Sequence, residues 1–198
     1  MARRSLRPDL LSAGLRVMLR HGYAASGVRE IVAEAGAPQG SFTNHFRSKE
    51  HFACDVLDLY FEHTSDLVRA ALSDTSLSPA GRLRRYLDLI AGRLAEDGFV
   101  RGCLIGDLSL EAAPVSEPLR KRLAQIFAEW RAPFALCVED AQALGQIRAD
   151  LDAEDLADFL LASWEGAILR MKVERSAAPL ERFKTIIFKV LFEEGKNA

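Results

Sequence analysis

The chain has 198 residues, 49% of them apolar and 27% charged, with a formal net charge of −2. That is ample for a packed core and too apolar for disorder, and no apolar run approaches the roughly 20 residues needed to cross a bilayer. The opening MARRSLRPDLL has no secretory h-region or cleavage site, and Cys54, Cys103 and Cys137 form neither a CxxC pair nor a zinc-ligand spacing, so the expectation is a cytoplasmic protein with no membrane partner, no metal and no cofactor.

A first helix is predicted from about Pro8 to His21, with Leu11, Leu15, Met18 and Leu19 inward and Gly22 ending it. Ser26 and Gly27 are cap candidates for a second helix, in which Val28, Ile31, Val32 and Ala35 fall on one face. Gly36 suits a turn that needs a positive φ, and Pro38 suits the first position of a third helix. Phe42 and Phe46 give that short helix an apolar stripe, while Gln39, Ser41, Thr43, Asn44 and His45 give it a hydrogen-bonding side. So short a helix must be pinned by its phenylalanines, leaving the polar side free to meet something outside. This is the layout of a helix-turn-helix, whose second helix enters the DNA major groove.

The run from Gly22 and Tyr23 through VREIVAEAG to GSFTNHFRSKE resembles the N-terminal domain of TetR/AcrR-type transcriptional regulators. The motif match covers roughly the first 50 to 60 residues; beyond it the likeness is only helical. The resemblance implies an all-α fold, with a three-helix DNA-binding module over residues 1–48 and a helical effector-binding and dimerisation bundle over residues 49–198. Charge agrees: residues 1–50 hold eight Lys/Arg against four Asp/Glu, whereas the remainder is net acidic. Asn44 and Gln39 could pair with adenine, and Ser41, Thr43 and His45 could reach base edges or phosphates. Arg29 and Lys49 suit phosphate, and Arg3 and Arg4 suit phosphate or the minor groove. The chain departs from the family pattern where Thr43 replaces a common aromatic, Gln39 a common basic residue and Gly27 a hydroxyl, so an operator sequence does not transfer from relatives.

Ser48 is the expected cap of a long fourth helix that fades into SDTSLSPAG. A fifth helix follows from Pro79 to Gly98, and a short sixth from Cys103 to Glu111. A seventh, from about Ser116 to Ala143, carries Pro133 inside it and is expected to kink or split there. Two more helices, Ala153 to Arg175 and Pro179 to Glu194, are apolar over a wide arc. Small Ala162, Ser163, Gly166 and Ala167 would let a neighbouring helix approach, so a homodimer through the two C-terminal helices is expected.

The body suits a small-molecule pocket, with Tyr60, Tyr86, Trp130, Phe134 and Trp164 among its candidate lining residues; ordinary core packing is the plainer alternative for each. Cys103, in RGCLIGDLSLE near Arg101 and a helix start, has the surroundings that activate a thiol, although most free cysteines are small core hydrophobes. This segment is similar to the corresponding stretch of electrophile- and acrylate-responsive regulators, which implies that it borders an effector site. The expected function is therefore a ligand-responsive DNA-binding regulator, a repressor released from a palindromic double-stranded operator. The alternatives are an activator without an effector and, from another class, a thiol-reactive enzyme or carrier. Against the latter, the chain has no HExxH, GxSxG, P-loop or dinucleotide signature.

Overall fold

A computed structural model describes residues 5–193, all helical apart from turns and connecting segments. The helices are α1 (Arg7–Ala25), α2 (Val28–Glu34), α3 (Ser41–His45), α4 (Lys49–Leu72), α5 (Pro79–Glu96), α6 (Leu104–Glu111), α7 (Glu117–Ala143), α8 (Ala153–Glu174) and α9 (Ala178–Ile187). Phe188–Glu193 continues α9 as a π-helical turn. No helix among the described residues is long and apolar enough to cross a membrane. The chain divides into two compact units, one of residues 1–63 with 104–126 and one of residues 64–103 with 127–198. The divisions fall inside α4, directly before α6 and inside α7.

The first unit is built on an aromatic floor. Phe42, Phe46 and Phe52 meet with ring centroids 4.7 to 5.2 Å apart, at tilted or edge-on angles. They are 0 to 5% exposed, and burying each ring contributes about 1.5–3 kcal/mol. Gly14 on α1 makes this possible: a Cβ there would lie 2.6 Å from Phe52 Cε1 and 3.2 Å from Val56 Cγ2. Glu34 ties α2 to α1 by accepting from Arg16 Nε at 2.8 Å and Arg20 at 2.7 Å, and the two guanidiniums hold its carboxyl below the usual range.

Several local expectations change in three dimensions. Gly22 does break α1, at φ 76°, but helical winding resumes to Ala25. Gly27 is the N-cap of α2, and the buried Ser26 hydroxyl instead donates to the Gly22 carbonyl. Pro38 is not the first residue of α3. Its carbonyl accepts from Ser41 N across a turn, and the helix begins only at Ser41. Ser48 caps α4 as expected, its hydroxyl accepting from His51 N at 3.2 Å. Pro133 does not split α7, which runs on through it.

In the second unit, Ser78 caps α5 and Asp152 caps α8, accepting from Glu154 N and Asp155 N. Arg82, 8% exposed, donates to Asp140 at 2.7 Å and also reaches the Leu72 carbonyl. Removing one partner from such a half-buried pair costs more than the pair itself is worth.

Candidate nucleic-acid interface and effector cluster

Helix α3 is only SFTNH, five residues long, too short to persist without support. Phe42 and Phe46 point into the floor, and Thr43, Asn44 and His45 are exposed between them. Gln39, in the preceding turn, and Arg29, on α2, are exposed too. Thr43 Oγ1 donates to the Gly40 carbonyl at 3.1 Å, so its outward chemistry is that of an acceptor. Ser41, expected on the same polar side, is 6% exposed: as the first residue of α3 beside Phe42, it faces the packed side. Arg3 and Arg4 lie outside the described residues.

Lys49 was expected to point towards phosphate and is turned inward instead. Its ammonium donates to the Tyr23 carbonyl at 2.6 Å and lies 4.5 Å from the Tyr23 ring centroid. Partial burial lowers its pKa, and the carbonyl and the ring face replace part of its lost hydration. The basic balance of the head is therefore spent partly within it. Arg7 pairs with Asp55 at 2.8 Å, and Arg16 and Arg20 pair with Glu34. Arg29 and Arg47 remain exposed.

The second unit carries buried polar groups of another kind. Tyr86, on α5, and Trp130, on α7, are 1% and 3% exposed. Neither the Tyr86 hydroxyl nor Trp130 Nε1 has a hydrogen-bond partner of good geometry, although the indole lies near enough to favour the ionised phenol. Burial above all, then the nearby Glu165 and Cys103, pushes the Tyr86 pKa well above its ordinary value. Phe134 stands edge-on to Tyr86 at 5.0 Å. Trp164 packs on Phe183 at 5.2 Å, with its own Nε1 buried and unmatched. Buried polar atoms of this kind are uncommon in folded proteins.

Cys103 is 8% exposed and directly precedes α6. The cation expected to activate it is engaged elsewhere, since Arg101 Nε donates to Asp97 at 2.6 Å. Tyr60 is half-buried on the part of α4 that belongs to the first unit. Among the described residues no group of three or more His, Cys, Asp or Glu could hold a metal.

On α8, Phe159, Leu169 and Val173 are 49 to 77% exposed, and Ala162 and Gly166 are exposed in the same stripe. Their spacing, alternating three and four, is that of one helix face. Ile186 and Val190, exposed by 54% and 51%, add to the apolar surface beyond α8. The wide arc expected from sequence thus resolves into two faces, with Leu156, Leu160, Trp164, Ala167, Ile168 and Met171 turned into the protomer.

A five-residue helix with a polar outer edge, held on a phenylalanine floor ahead of an otherwise helical body, is the layout of a helix-turn-helix DNA-binding regulator. Residues 10–53 match the model for bacterial regulatory proteins of the tetR family, and residues 79–187 match the tetracyclin repressor-like C-terminal domain. The chain belongs to the TetR family of transcriptional regulators. It is 44% identical to the HTH-type transcriptional repressor DhaR of Mycobacterium sp. strain GP1, over 100% of this chain and 98% of that protein. A crystal structure of the regulatory protein TetR from Rhodobacter sphaeroides is 35% identical, with a TM-score of 0.87 over 92% of this chain and 97% of that one. The reduced form of Escherichia coli NemR is 26% identical, with a TM-score of 0.87 over 95% and 97%.

Sequence reasoning missed Glu111 and the role of Tyr23. Glu111 accepts from Ala24 N at 3.1 Å, across 87 residues of chain. No local pattern signals a contact of that range.

Proposed function

We propose that this regulator is a cytoplasmic repressor that binds a palindromic double-stranded operator as a homodimer and is released by a small-molecule effector. The observation that carries this reading is the exposed Thr43–Asn44–His45 edge on a buried aromatic floor, because a polar edge so supported is free to read bases. Asn44 is assigned to bidentate contact with adenine, and Gln39, Thr43 and His45 to base edges or phosphate. Arg29, with Arg3 and Arg4 ahead of α1, is assigned to the DNA backbone or minor groove.

The dimer is assigned to the outward stripe of α8 with Ile186 and Val190 beyond it. Exposed apolar surface of this extent favours burial against a copy, and a two-fold pair presents two recognition helices to two half-sites. The effector is assigned to the second unit, around Tyr86, Trp130, Phe134 and Cys103, with Trp164 on the same inward side of α8. Unmatched buried donors favour a ligand with a hydrogen-bond acceptor. Release follows if the effector binds more tightly to a state in which α4 is tilted and the two recognition helices are wrongly spaced. Without such a difference in affinity nothing would shift.

The test is a mobility-shift assay with the purified protein on its own upstream region, repeated with a metabolite panel. A specific complex dissolved by one metabolite is the expected result. Binding that no compound alters favours an activator without an effector, and no specific binding to any DNA at low salt ends the reading.

A further inference from the structure

The first unit contains a joint at which Gly22, Tyr23 and Lys49 of the motif meet Glu111, a residue far outside it. Helix α1 breaks at Gly22, and the short segment Tyr23–Ala25 that follows leads directly through Ser26 and Gly27 into α2, the first helix of the DNA-binding motif. Three side chains from different places hold that segment. The Ser26 hydroxyl donates to the Gly22 carbonyl. Lys49, at the start of α4, donates to the Tyr23 carbonyl at 2.6 Å and reaches the Ala24 carbonyl at 3.4 Å. Glu111, at the end of α6, accepts from Ala24 N at 3.1 Å.

The carboxylate fills the break closely. A Cβ added to Gly22 would sit 2.7 Å from Glu111 Oε2 and 2.8 Å from its Cδ, at a φ of 76° that only glycine adopts without strain. The negative Glu111 also acts electrostatically on the Lys49 ammonium. Both charges thus meet at the last turn of α1, just past its break at Gly22, where helix-end N–H and C=O groups need partners from outside the helix. Helix α6 packs along α1 within the same unit.

We propose that Glu111 is a positioning residue for DNA binding: from the end of α6 it fixes the broken end of α1, and through it the direction in which α2 and α3 leave. Glu111 touches no base and no phosphate in this role; it acts through Ala24 and the α2 start. The inference rests on the reading of this chain as a DNA-binding regulator. It predicts that truncating an acidic side chain weakens binding to a polyanion, which is opposite in sign to the relief of charge repulsion.

The experiment compares wild type, Glu111→Ala and Glu111→Gln on a DNA fragment selected by the wild-type protein, over a series of salt concentrations. Glu111→Ala is expected to weaken specific binding about fivefold to tenfold, the effect of losing one ordinary solvent-exposed hydrogen bond. The slope of affinity against salt should stay unchanged, because no phosphate contact is lost. Glu111→Gln keeps an oxygen acceptor for Ala24 N and should recover most of the affinity. Amide hydrogen exchange should quicken from Tyr23 to Val32 in Glu111→Ala and remain unchanged in the second unit, which separates a loosened joint from general unfolding. Unchanged or tighter binding by Glu111→Ala overturns the proposal, as does failure of Glu111→Gln to restore affinity. A wild-type protein with no specific DNA binding overturns the functional reading itself.

Discussion

The two units put polar groups on opposite sides of their aromatic residues. In the first, Phe42, Phe46 and Phe52 lie beneath and Thr43, Asn44 and His45 stand above in solvent. In the second, Tyr86, Trp130 and Trp164 turn their polar atoms inward, where none finds a well-aligned partner. A polar group left in water keeps its hydrogen bonds and can trade them for a base edge at little loss. A buried polar group has given up water, and a partner that reaches it can restore a hydrogen bond. The first arrangement suits a large, hydrated partner, and the second a small one that the protein encloses.

The contrast can be broken most forcefully at the floor. Phe52→Ala should destabilise the protein by about 3–5 kcal/mol, read by chemical denaturation, and should abolish DNA binding as α3 loses its support. A variant that melts normally and still binds would show that α3 does not depend on the floor. Next is Asn44→Ala, expected to cost about 1–3 kcal/mol on the preferred operator with stability unchanged. Full retention of preference for cognate over scrambled DNA would refute the base-reading assignment.

Gly166→Leu tests the outward stripe. Nothing lies within 4 Å of a Cβ at that position in the protomer, so folding should persist while sedimentation shifts from dimer towards monomer. An unshifted dimer would place the interface elsewhere. On the inward side, Tyr86→Phe removes an unmatched hydroxyl and should leave stability unchanged or slightly raised, while effector-induced release weakens. Release unaffected in titrations would exclude the phenol from the effector site.

The last effect is confined to alkaline pH. Burial pushes the Cys137 thiol up from 9.0 to about 11. Folding therefore favours the protonated form, and the stability it secures is complete below about 9 and is lost as pH climbs through about 11. Denaturation midpoints measured across that interval should fall in wild type more than in Cys137→Ala. Equal falls would assign the alkaline loss to other groups.

Much of the head was legible because its signals are local. Phe42 and Phe46 sit four apart with polar residues between, and a helix of that pattern has one supported side and one open side. Ser48 as a cap and the glycine breaks at Gly22, Gly98 and Gly145 were readable for the same reason, as short-range stereochemistry. Periodicity also exposed the long apolar arc of α8, but not its division. A helix wheel gives the width of an arc and not which half meets the protomer's own core.

The amino-acid order by itself determined most of the helices, their glycine breaks, the helix-turn-helix and hence the class of regulator, since each follows from backbone preferences and spacings within a few residues. Only the tertiary structure decided that Lys49 turns to the Tyr23 carbonyl, that Ser41 is buried, and that Glu111 closes the break in α1. A side chain's partner is chosen by which groups packing brings within about 3 Å, and for Glu111 that neighbour lies 87 residues away along the chain.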